Sequence, residues 1–409
     1  MFVEGALPGE RVIARPLKQH ARWSTAEVLS IEQTATDRQT AVCPHYGQCG
    51  GCSLQHLAPA SQLHWKQTHL AEVFKRVANL SPQRWLSPIS AGAEGYRRRA
   101  RLAVFQARSG QAVFCGYREA GSKKVVRIEQ CPVLEPKLER LIKPLQTLLR
   151  ALSANSAIEE ILMAIDESVP PNPVIQLRGD QPSQADMDRL VEFSAAHHCT
   201  VEFRARDRTR VWPENPPPLR CHPTPETLLG FRVDQFVQAN AAVNHRMVDR
   251  VVKLLQPGSD EPLLDLFCGL GNFSLAMAQR GAEVTGVDLG MELIGDANNN
   301  ALLNGLEARC RFYSADLMQP LAPYKWARQH YQGVVLDPPR AGAQAVLPLI
   351  AACGARRVVY VSCDPATLAR DAGVLTHQFG FTLECAGVID QFPHTGHVES
   401  VSLFRTNTR

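Results

Sequence analysis

The chain has 409 residues, of which 45% are hydrophobic and 21% charged, with a formal net charge of +4. This length allows two or three domains, and the small net charge excludes a uniformly basic nucleic-acid binder, so any such surface must come from local clusters. The sequence lacks a run of about 18 apolar residues, and its start, MFVEGALPGERV, lacks the basic and apolar regions of a signal peptide. We expect a cytoplasmic protein with no membrane partner.

The first 40 residues contain two short alternating runs with Gly and Pro, VEGALPGERV and TAEVLSIE. Such runs predict a small β module. The VEGALPGE stretch resembles part of a TRAM domain, an OB-like β-barrel that binds RNA. Because Met1 falls where a preceding strand of that domain is expected, we predict a partial TRAM-like module over residues 1–40.

A Gly-rich loop carries Cys43, Cys49 and Cys52, and Cys131 is a possible distant fourth member of the group. In a reducing compartment, regularly spaced cysteines are metal ligands or catalytic groups rather than disulfides. Zinc sites usually pair cysteines as two C-x2-C units, whereas C-x5-C-x2-C with one remote cysteine is closer to a cubane arrangement. The spacing favours a [4Fe–4S] cluster, with zinc or no metal as alternatives.

Residues 57–80 show the spacing of a helix that packs across domains. Its expected apolar face is Leu63, Leu70, Val73, Phe74 and Val77.

Basic residues then alternate with apolar ones from Arg97 to Arg101 and recur after Gly116. Strand geometry would put arginines on one face of a sheet, which suits phosphate contacts, although a merely solvated face is the alternative. Tyr96 and Tyr117 could stack on unpaired bases, so we predict RNA contact here.

Residues 132–235 indicate mixed α/β structure with a Pro-rich insertion, and FRVDQFVQ then suggests a strand before a long amphipathic helix. Gln238 lies in this approach. A polar side chain there is either a base or cofactor contact or a buried amide.

The last part of the chain opens with a predicted strand, Leu264 to Phe267, then a turn with Gly269 and Gly271 and a helix from Asn272 or Phe273. Glycines let the backbone approach a ligand closely, and the helix N-terminus can receive a carboxylate. A single G-x-G fits dinucleotide-binding and methyltransferase folds alike.

Further polar residues follow the predicted strands. Asp288 is placed to accept hydrogen bonds from ribose hydroxyls. Asp316 and Asp337 end a third and a fourth strand, and Cys363 ends the strand Val358–Val361. A dinucleotide site would leave the last two strand ends unexplained, whereas a cysteine at the carboxyl end of a buried strand lies where ligands bind.

The motifs LDLFCGLGNF, LDPPRAG, VYVSCDPATLARD and FPHTGHVE, with the loop CPHYGQCGGCSLQHL, resemble the RNA uracil-C5 methyltransferase family over nearly the whole chain. The similarity is greatest to members that act on 23S rRNA. It implies an α/β fold: a doubly wound, Rossmann-like, S-adenosyl-L-methionine-dependent domain over residues 236–409, after a central α+β domain with an iron–sulfur cluster over residues 41–235. We expect a monomer.

The residues suit that chemistry. Carbon 5 of uracil is a poor nucleophile, and a thiolate that adds at carbon 6 creates an enolate able to attack a methyl group. Cys363 fits this role, and Glu399 is the candidate base for the carbon-5 proton. Without function, Glu399 would be a surface residue and His394 and His397 would brace a turn. RNA cytosine-C5 enzymes should have a second cysteine near Asp-Pro-Pro, which LDPPRAG lacks.

Alternatives are the same reaction on tRNA, or a non-catalytic RNA-binding protein of this fold. The target base should be flipped out of a loop. By resemblance, the cluster ligands are Cys43, Cys49, Cys52 and Cys131, and the cofactor-binding residues are Gln238, Phe267, Asn272, Asp288, Asp316 and Asp337.

Overall fold

The computed structural model describes residues 1–107, 112–153 and 157–406, whose strands form four sheets. No helix within these ranges is long and apolar enough to cross a membrane. The first sheet has the order β1-β3-β2, with β2 antiparallel to β3 and β1 parallel to it. Arg38 fixes its loop by donating to Glu10 Oε1 at 2.5 Å. The strands are β1 (Phe2–Glu4), β2 (Arg11–Gln19) and β3 (Ser24–Gln33).

The central part of the chain forms a seven-stranded sheet with the order β11-β10-β9-β8-β5-β6-β7. All neighbours are antiparallel except β9 and β10, which helix α4 connects. Leu102, Ile161 and Val201 lie in its apolar core. The strands are β5 (Arg99–Gln106), β6 (Val113–Arg118), β7 (Val125–Arg127), β8 (Glu160–Ile165), β9 (Pro173–Arg178), β10 (Thr200–Arg204) and β11 (Thr209–Trp212); the helices are α2 (Pro136–Glu139), α3 (Ile142–Ala151) and α4 (Gln184–His197). A separate two-stranded sheet pairs β12 (Leu219–Cys221) with β13 (Leu229–Phe231).

The C-terminal sheet has eight strands in the order β16-β15-β14-β17-β18-β20-β19-β4. The first five of these are parallel, as crossover connections through helices require, and β20 runs antiparallel to its neighbours. This is the doubly wound α/β architecture that the sequence predicts. The strands are β4 (Arg84–Trp85), β14 (Pro262–Leu266), β15 (Glu283–Asp288), β16 (Cys310–Ser314), β17 (Gly333–Leu336), β18 (Arg357–Ser362), β19 (Thr382–Ile389) and β20 (Glu399–Arg405). The helices are α5 (Ala241–Leu255), α6 (Ser274–Ala278), α7 (Met291–Leu303), α8 (Leu347–Ala352) and α9 (Pro365–His377), with short 3-10 turns at Trp326–Arg328 and Gln344–Val346.

Helix α1 (Pro59–Val73) continues as a π-helical turn, Phe74–Ala78, and packs on α9 and β19. Leu70, Val73 and Phe74 are buried in the core of the C-terminal sheet. The prediction of a helix that packs across regions is therefore confirmed, but Val77 is 48% exposed. The π-helical turn adds a residue per turn, which rotates Val77 away from the face that the regular helix buries.

The predicted strand FRVDQFVQ is wrong, because β13 ends at Phe231. Alternate residues are buried as in a strand, but the backbone turns, with Gln235 N–H donating to the carbonyl of Arg232 at 3.0 Å. The Gln235 side chain accepts from Arg232 N–H at 2.8 Å, and Arg232 itself reaches Asp296 on α7 at 2.7 Å. These side-chain contacts hold the segment after β13, which pairs with no strand among the described residues.

Candidate active site

Four of the predicted site residues meet at one edge of the C-terminal sheet. Asp288 is the last residue of β15, and Asp337 and Cys363 directly follow β17 and β18. Glu399 opens β20, which runs in the opposite direction and so begins at the same edge. Carboxyl ends of parallel strands are where open α/β sheets bind ligands.

The ladder between β18 and β20 places the two predicted catalytic residues together. Ser362 pairs with Ser400 across these antiparallel strands. Continuing that register by one residue brings Cys363 beside Glu399. Their separation is therefore set by backbone hydrogen bonds and does not depend on a flexible loop.

Glu399 is buried, with 8% of its surface exposed, and is not the surface residue that a purely structural role would suggest. Burial raises its pKa to about 8, the carboxylates of Asp337 and Asp390 add to the effect, and the ammonium of Lys66 opposes it. A carboxyl group that titrates near neutral pH can both take and release a proton, as a general base must.

Cys363 is half-buried at the start of α9, next to Asp364, whose side chain caps the helix by accepting from Ala366 N–H at 2.9 Å. Burial raises the pKa of its thiol, and the nearby carboxylates of Glu399 and Asp337 raise it further, whereas Arg340 lowers it. The surroundings of this thiol therefore oppose the loss of its proton. Its activation requires either removal of that proton or a change in the surrounding charge.

A cavity of about 60 Å³ lies beside this edge and is lined by Gln238, Phe267, Asn272 and Asp337, four of the six predicted cofactor residues. Gln238 donates to Asp337 Oδ2 at 3.3 Å and accepts from Gln391 at 2.8 Å. Burial raises the pKa of Asp337 to about 7, and Asp288 adds to this. Polar groups at the base of an apolar cleft can orient a bound molecule.

The turn after β14 forms one wall of that cavity. Phe267, Gly269 and Gly271 all have positive φ, at 63°, 55° and 95°, a conformation that glycine adopts without strain. Gly269 N–H donates to Asp288 Oδ2 at 2.7 Å, and Leu289 N–H donates to Oδ1 at 2.6 Å. The carboxylate of Asp288 is thus fixed against the turn.

Asp316 is not among the residues that line the cavity. Its Oδ1 accepts from Met318 N–H at 2.9 Å, so it shapes the loop after β16. The preceding residue, Ala315, donates its N–H to the carbonyl of Asp288 at 2.9 Å. The structure therefore places Asp316 apart from the four residues that line the cavity, whereas Asp288, which is also outside that lining, is bound to Gly269 in the cavity wall.

The loop between β19 and β20 is held from outside the C-terminal sheet. Ser53 and Leu54, next to Cys52, both donate their N–H groups to the carbonyl of His394 at 2.9 Å. His394 has a φ of 65°, and His397 Nδ1 lies 3.1 Å from Arg340. Both histidines therefore brace this loop, as a structural role predicts. Among the described residues no group of three His, Cys, Asp or Glu could hold a single metal ion.

Two residues of α1 belong to this site and were not predicted from sequence. Lys66 is fully buried and pairs with Asp390 at 2.7 Å, and Gln62 accepts from His394 N–H at 2.7 Å. A signal for them existed. Both lie on the same helical face as Leu70, and a lysine at a core position of an amphipathic helix marks a specific partner.

The four cysteines of the predicted metal site, three on one loop and Cys131 distant in sequence, line one cavity of about 160 Å³. Cys43, Cys49 and Cys52 are half-buried and Cys131 is buried, and burial raises the pKa of each thiol. Arg97 and Arg101 also line the cavity. The four predicted ligands therefore share one cavity.

The basic surface differs from its prediction. Arg101 and Lys124 are exposed, at 68% and 74%, but Arg98 is buried and forms an ion pair with Glu167 at 2.6 Å. Tyr117 lines the cysteine cavity, and Tyr96 donates its hydroxyl to the carbonyl of Pro393. Both tyrosines are partly buried against the core of the central sheet, and their stacking on bases stays a prediction.

The chain is similar to proteins of known family. A family model described as tRNA (Uracil-5-)-methyltransferase matches residues 227–407. A protein of Alkalilimnicola ehrlichii named 23S rRNA (uracil(1939)-C(5))-methyltransferase RlmD is 42% identical, over 99% of this chain and 91% of its own. A protein of the same name from Acidithiobacillus ferrooxidans is 40% identical, over 99% and 92%. A solved structure, the tRNA (uracil-54, C5)-methyltransferase of Pyrococcus abyssi with S-adenosyl-L-homocysteine, shares the fold, with a TM-score of 0.74, 21% identity and coverage of 98% and 95%.

The fold and the site define an α/β methyltransferase with a cysteine at a strand end. Because the chain is 40–42% identical to these two relatives over almost its full length, it belongs to the RNA uracil-C5 methyltransferase family. The resemblance inferred from the motifs is confirmed, and the protein is an enzyme that uses S-adenosyl-L-methionine.

Proposed function

We propose that the protein methylates carbon 5 of a specific uridine in 23S rRNA, forming 5-methyluridine through a covalent adduct between Cys363 and carbon 6. The observation that carries the proposal is the register of β18 and β20, which sets Cys363 beside Glu399 at the edge of the cofactor cavity. The named relatives of similar length act on 23S rRNA.

Each step uses a group of this chain. The thiol of Cys363 first loses its proton to solvent, the resulting thiolate adds to carbon 6, and the electron pair of the 5,6 double bond moves to carbon 5 as an enolate. S-adenosyl-L-methionine supplies the methyl group, which carbon 5 takes with loss of S-adenosyl-L-homocysteine. Glu399 removes the carbon-5 proton, and the returning electron pair expels the Cys363 thiolate. The atoms balance, and no oxidant or reductant is required.

Replacing Cys363 tests the covalent step. Cys363→Ala should abolish turnover and any adduct, because no thiolate remains to activate carbon 5. RNA with 5-fluorouridine at the target should trap the wild-type enzyme, since fluorine cannot leave as a cation, and the complex should survive denaturing electrophoresis. A Cys363→Ala variant that still forms this complex would remove Cys363 from the mechanism.

The RNA class is tested by incubating the enzyme and labelled S-adenosyl-L-methionine with 23S rRNA or tRNA in parallel. We expect label in 23S rRNA only, and preferential labelling of tRNA would favour the alternative substrate. Protein-free 23S rRNA should be a better substrate than the finished large subunit, because the target base must be flipped out and its flanking backbone must be accessible. Equal rates on both would contradict this requirement.

We also propose that Cys43, Cys49, Cys52 and Cys131 hold a [4Fe–4S] cluster. The support is a buried cavity lined by four thiols, with two arginines that complement thiolate charge. Protein purified without oxygen should be brown and contain about four irons per chain. Colourless protein with stoichiometric zinc would overturn the assignment. The cluster is structural, since the methyl transfer moves no single electron.

The division into a TRAM-like module (1–40), a central RNA-binding domain (41–235) and a catalytic domain (236–409) is likewise proposed, for a cytoplasmic monomer. Separate sheets over residues 2–33 and 99–212 support it. Strand β4, which joins the edge of the C-terminal sheet, shows that the middle segment also contributes to the last one. Exposed Arg101, Lys124 and Arg127 supply cations for phosphate contacts.

A further inference from the structure

Helix α1 carries a lysine that is completely removed from water. The ammonium of Lys66 donates to Asp390 Oδ1 at 2.7 Å and to the carbonyl of Phe392 at 2.9 Å. A buried ion pair rarely stabilises a fold more than well-packed apolar residues of similar volume, because desolvating both charges offsets their attraction. Stability alone therefore does not account for a lysine at this position.

The partners of Lys66 lie at the start of the segment that delivers Glu399. Asp390 follows Ile389, the last residue of β19, and Ile389 pairs with Glu399 across the ladder to β20. The loop from Asp390 to Val398 thus leaves and re-enters the sheet at the catalytic edge. Lys66 fixes the first part of this loop, through the side chain of Asp390 and the backbone of Phe392.

Gln62, four residues earlier on the same face of α1, fixes the middle of the loop. It is 1% exposed. Its Oε1 accepts from His394 N–H at 2.7 Å, and its Nε2 lies 3.1 Å from His394 Nδ1. One face of α1 therefore holds this loop in two places: Lys66 binds its start through an ion pair, and Gln62 binds His394 through its side-chain amide.

The charges around Glu399 come from several elements. Asp337 after β17 and Asp390 after β19 raise its pKa, and Lys66 on α1 lowers it. Cys363, after β18, faces it, and Arg340 acts on that thiol. Of the charged groups that act on Glu399, Lys66 is the one that favours the ionised carboxylate.

We propose that Lys66 is a positioning residue for proton abstraction: it holds the Asp390–Val398 loop so that Glu399 faces Cys363, and it places a cation among the carboxylates around Glu399. The inference rests on the proposed role of Glu399 as base. It predicts that changes at Lys66 and at Asp390, although they break the same ion pair, shift the pH dependence of the base in opposite directions.

The experiment compares wild type, Lys66→Met and Asp390→Asn in single turnovers on 23S rRNA between pH 6 and pH 10. Labelled methyl in the denatured adduct reports addition and transfer, and loss of the adduct reports proton abstraction. In Lys66→Met, release of the adduct should slow while methyl transfer is retained. The pH midpoint of the release rate should rise by about one unit, so that below the midpoint the adduct is released about tenfold more slowly than in wild type. In Asp390→Asn the midpoint should fall, because a negative neighbour of Glu399 is removed.

Two variants separate charge from general damage. If both midpoints move in the same direction, or if transfer and release slow equally, Lys66 is only a packing residue and the proposal is wrong. If Lys66→Met fails to fold, the near-isosteric variant Asp390→Asn still tests the proposal. A midpoint of its release rate that is unshifted or raised relative to wild type would show that the proposal is wrong. Wild-type enzyme that forms no adduct would instead refute the proposed function, which is a separate outcome.

Discussion

The two groups of candidate functional residues are held in different ways. Asp288, Asp337, Cys363 and Glu399 end or begin strands of one sheet, so a backbone ladder sets their separations. The four cysteines of the other group all lie outside the named strands and helices, on turns around a cavity. The backbone hydrogen bonds of a sheet keep their geometry when one side chain is replaced. The conformation of a loop depends on the groups that its side chains bind.

The difference predicts how each group fails. A substitution at the sheet edge should remove a chemical step and leave the fold intact. A substitution in the cysteine loop should lower the stability of that region first, and activity only as a consequence. The loop is linked to the sheet edge through the N–H groups of Ser53 and Leu54 on His394, so the second kind of damage can reach Glu399.

Among substitutions that keep the Cys363 thiol, the largest effect should come from Glu399→Gln. Turnover should fall about 10²–10⁴-fold, the usual contribution of a general base, while the far-ultraviolet circular dichroism stays that of the wild type. Because addition and methyl transfer do not need the base, a methylated protein–RNA adduct should accumulate and survive denaturation. Normal turnover of this variant would show that another group takes the carbon-5 proton.

Asp288→Asn should weaken binding of S-adenosyl-L-methionine about tenfold to a hundredfold, since hydrogen bonds to a charged acceptor contribute about 1.5–3 kcal/mol. Isothermal titration without RNA measures this directly. Asp316→Asn, on the neighbouring loop but outside the cavity, is the matched control and should bind the cofactor within about twofold of wild type. Equal losses in both variants would place Asp316 in the cofactor site after all.

Cys49→Ser should lower the iron content well below about four per chain and lower the thermal midpoint of the protein. Cys199→Ser is the control, because Cys199 is another free cysteine of the central segment and lies outside the cysteine cavity. The control should keep its iron. If Cys49→Ser keeps full iron and stability, the cysteine loop is held by its own packing and the contrast between the two groups disappears.

The smallest effect concerns stability and pH. The folded-state pKa of Glu399, about 8, lies above its ordinary value of 4.5, so the folded protein binds a proton more tightly than the unfolded chain. The resulting loss of stability is absent below pH 4.5, grows as pH rises, and is complete above about pH 8. Glu399→Gln should therefore have a higher thermal midpoint than wild type at pH 9 and an equal one at pH 4. A lower midpoint at pH 9 would contradict the burial of a charged group here.

Sequence predicted the sheet edge well because its residues obey local rules. Strand preference, a glycine turn and a helix cap locate Asp288, Asp337 and Cys363 at strand ends without any knowledge of distant contacts. The parallel order of strands then brings those ends together. The convergence of the cysteines was also inferred, although from spacing and resemblance and not from local structure.

Other parts depended on long-range contacts that a local pattern does not contain. Arg98 belongs to a basic run that suggests a solvated face, but Glu167, 69 positions later, draws it into the interior. Val77 fits the helical period and is nevertheless exposed, because a π-helical turn intervenes. Lys66 was not predicted, since its partner Asp390 is 324 positions away.

The contact between Gln62 and His394 joins residues 332 positions apart, and this has a consequence for biosynthesis. At about 5–20 residues per second, α1 leaves the ribosome roughly 17–66 s before the loop that covers it. During that interval Leu70 and Phe74 lack the C-terminal core in which they end, and exposed apolar surface promotes aggregation. Glu399, the proposed base, is fixed only when the last segment docks, so a chain that stops before residue 390 lacks it and should be inactive.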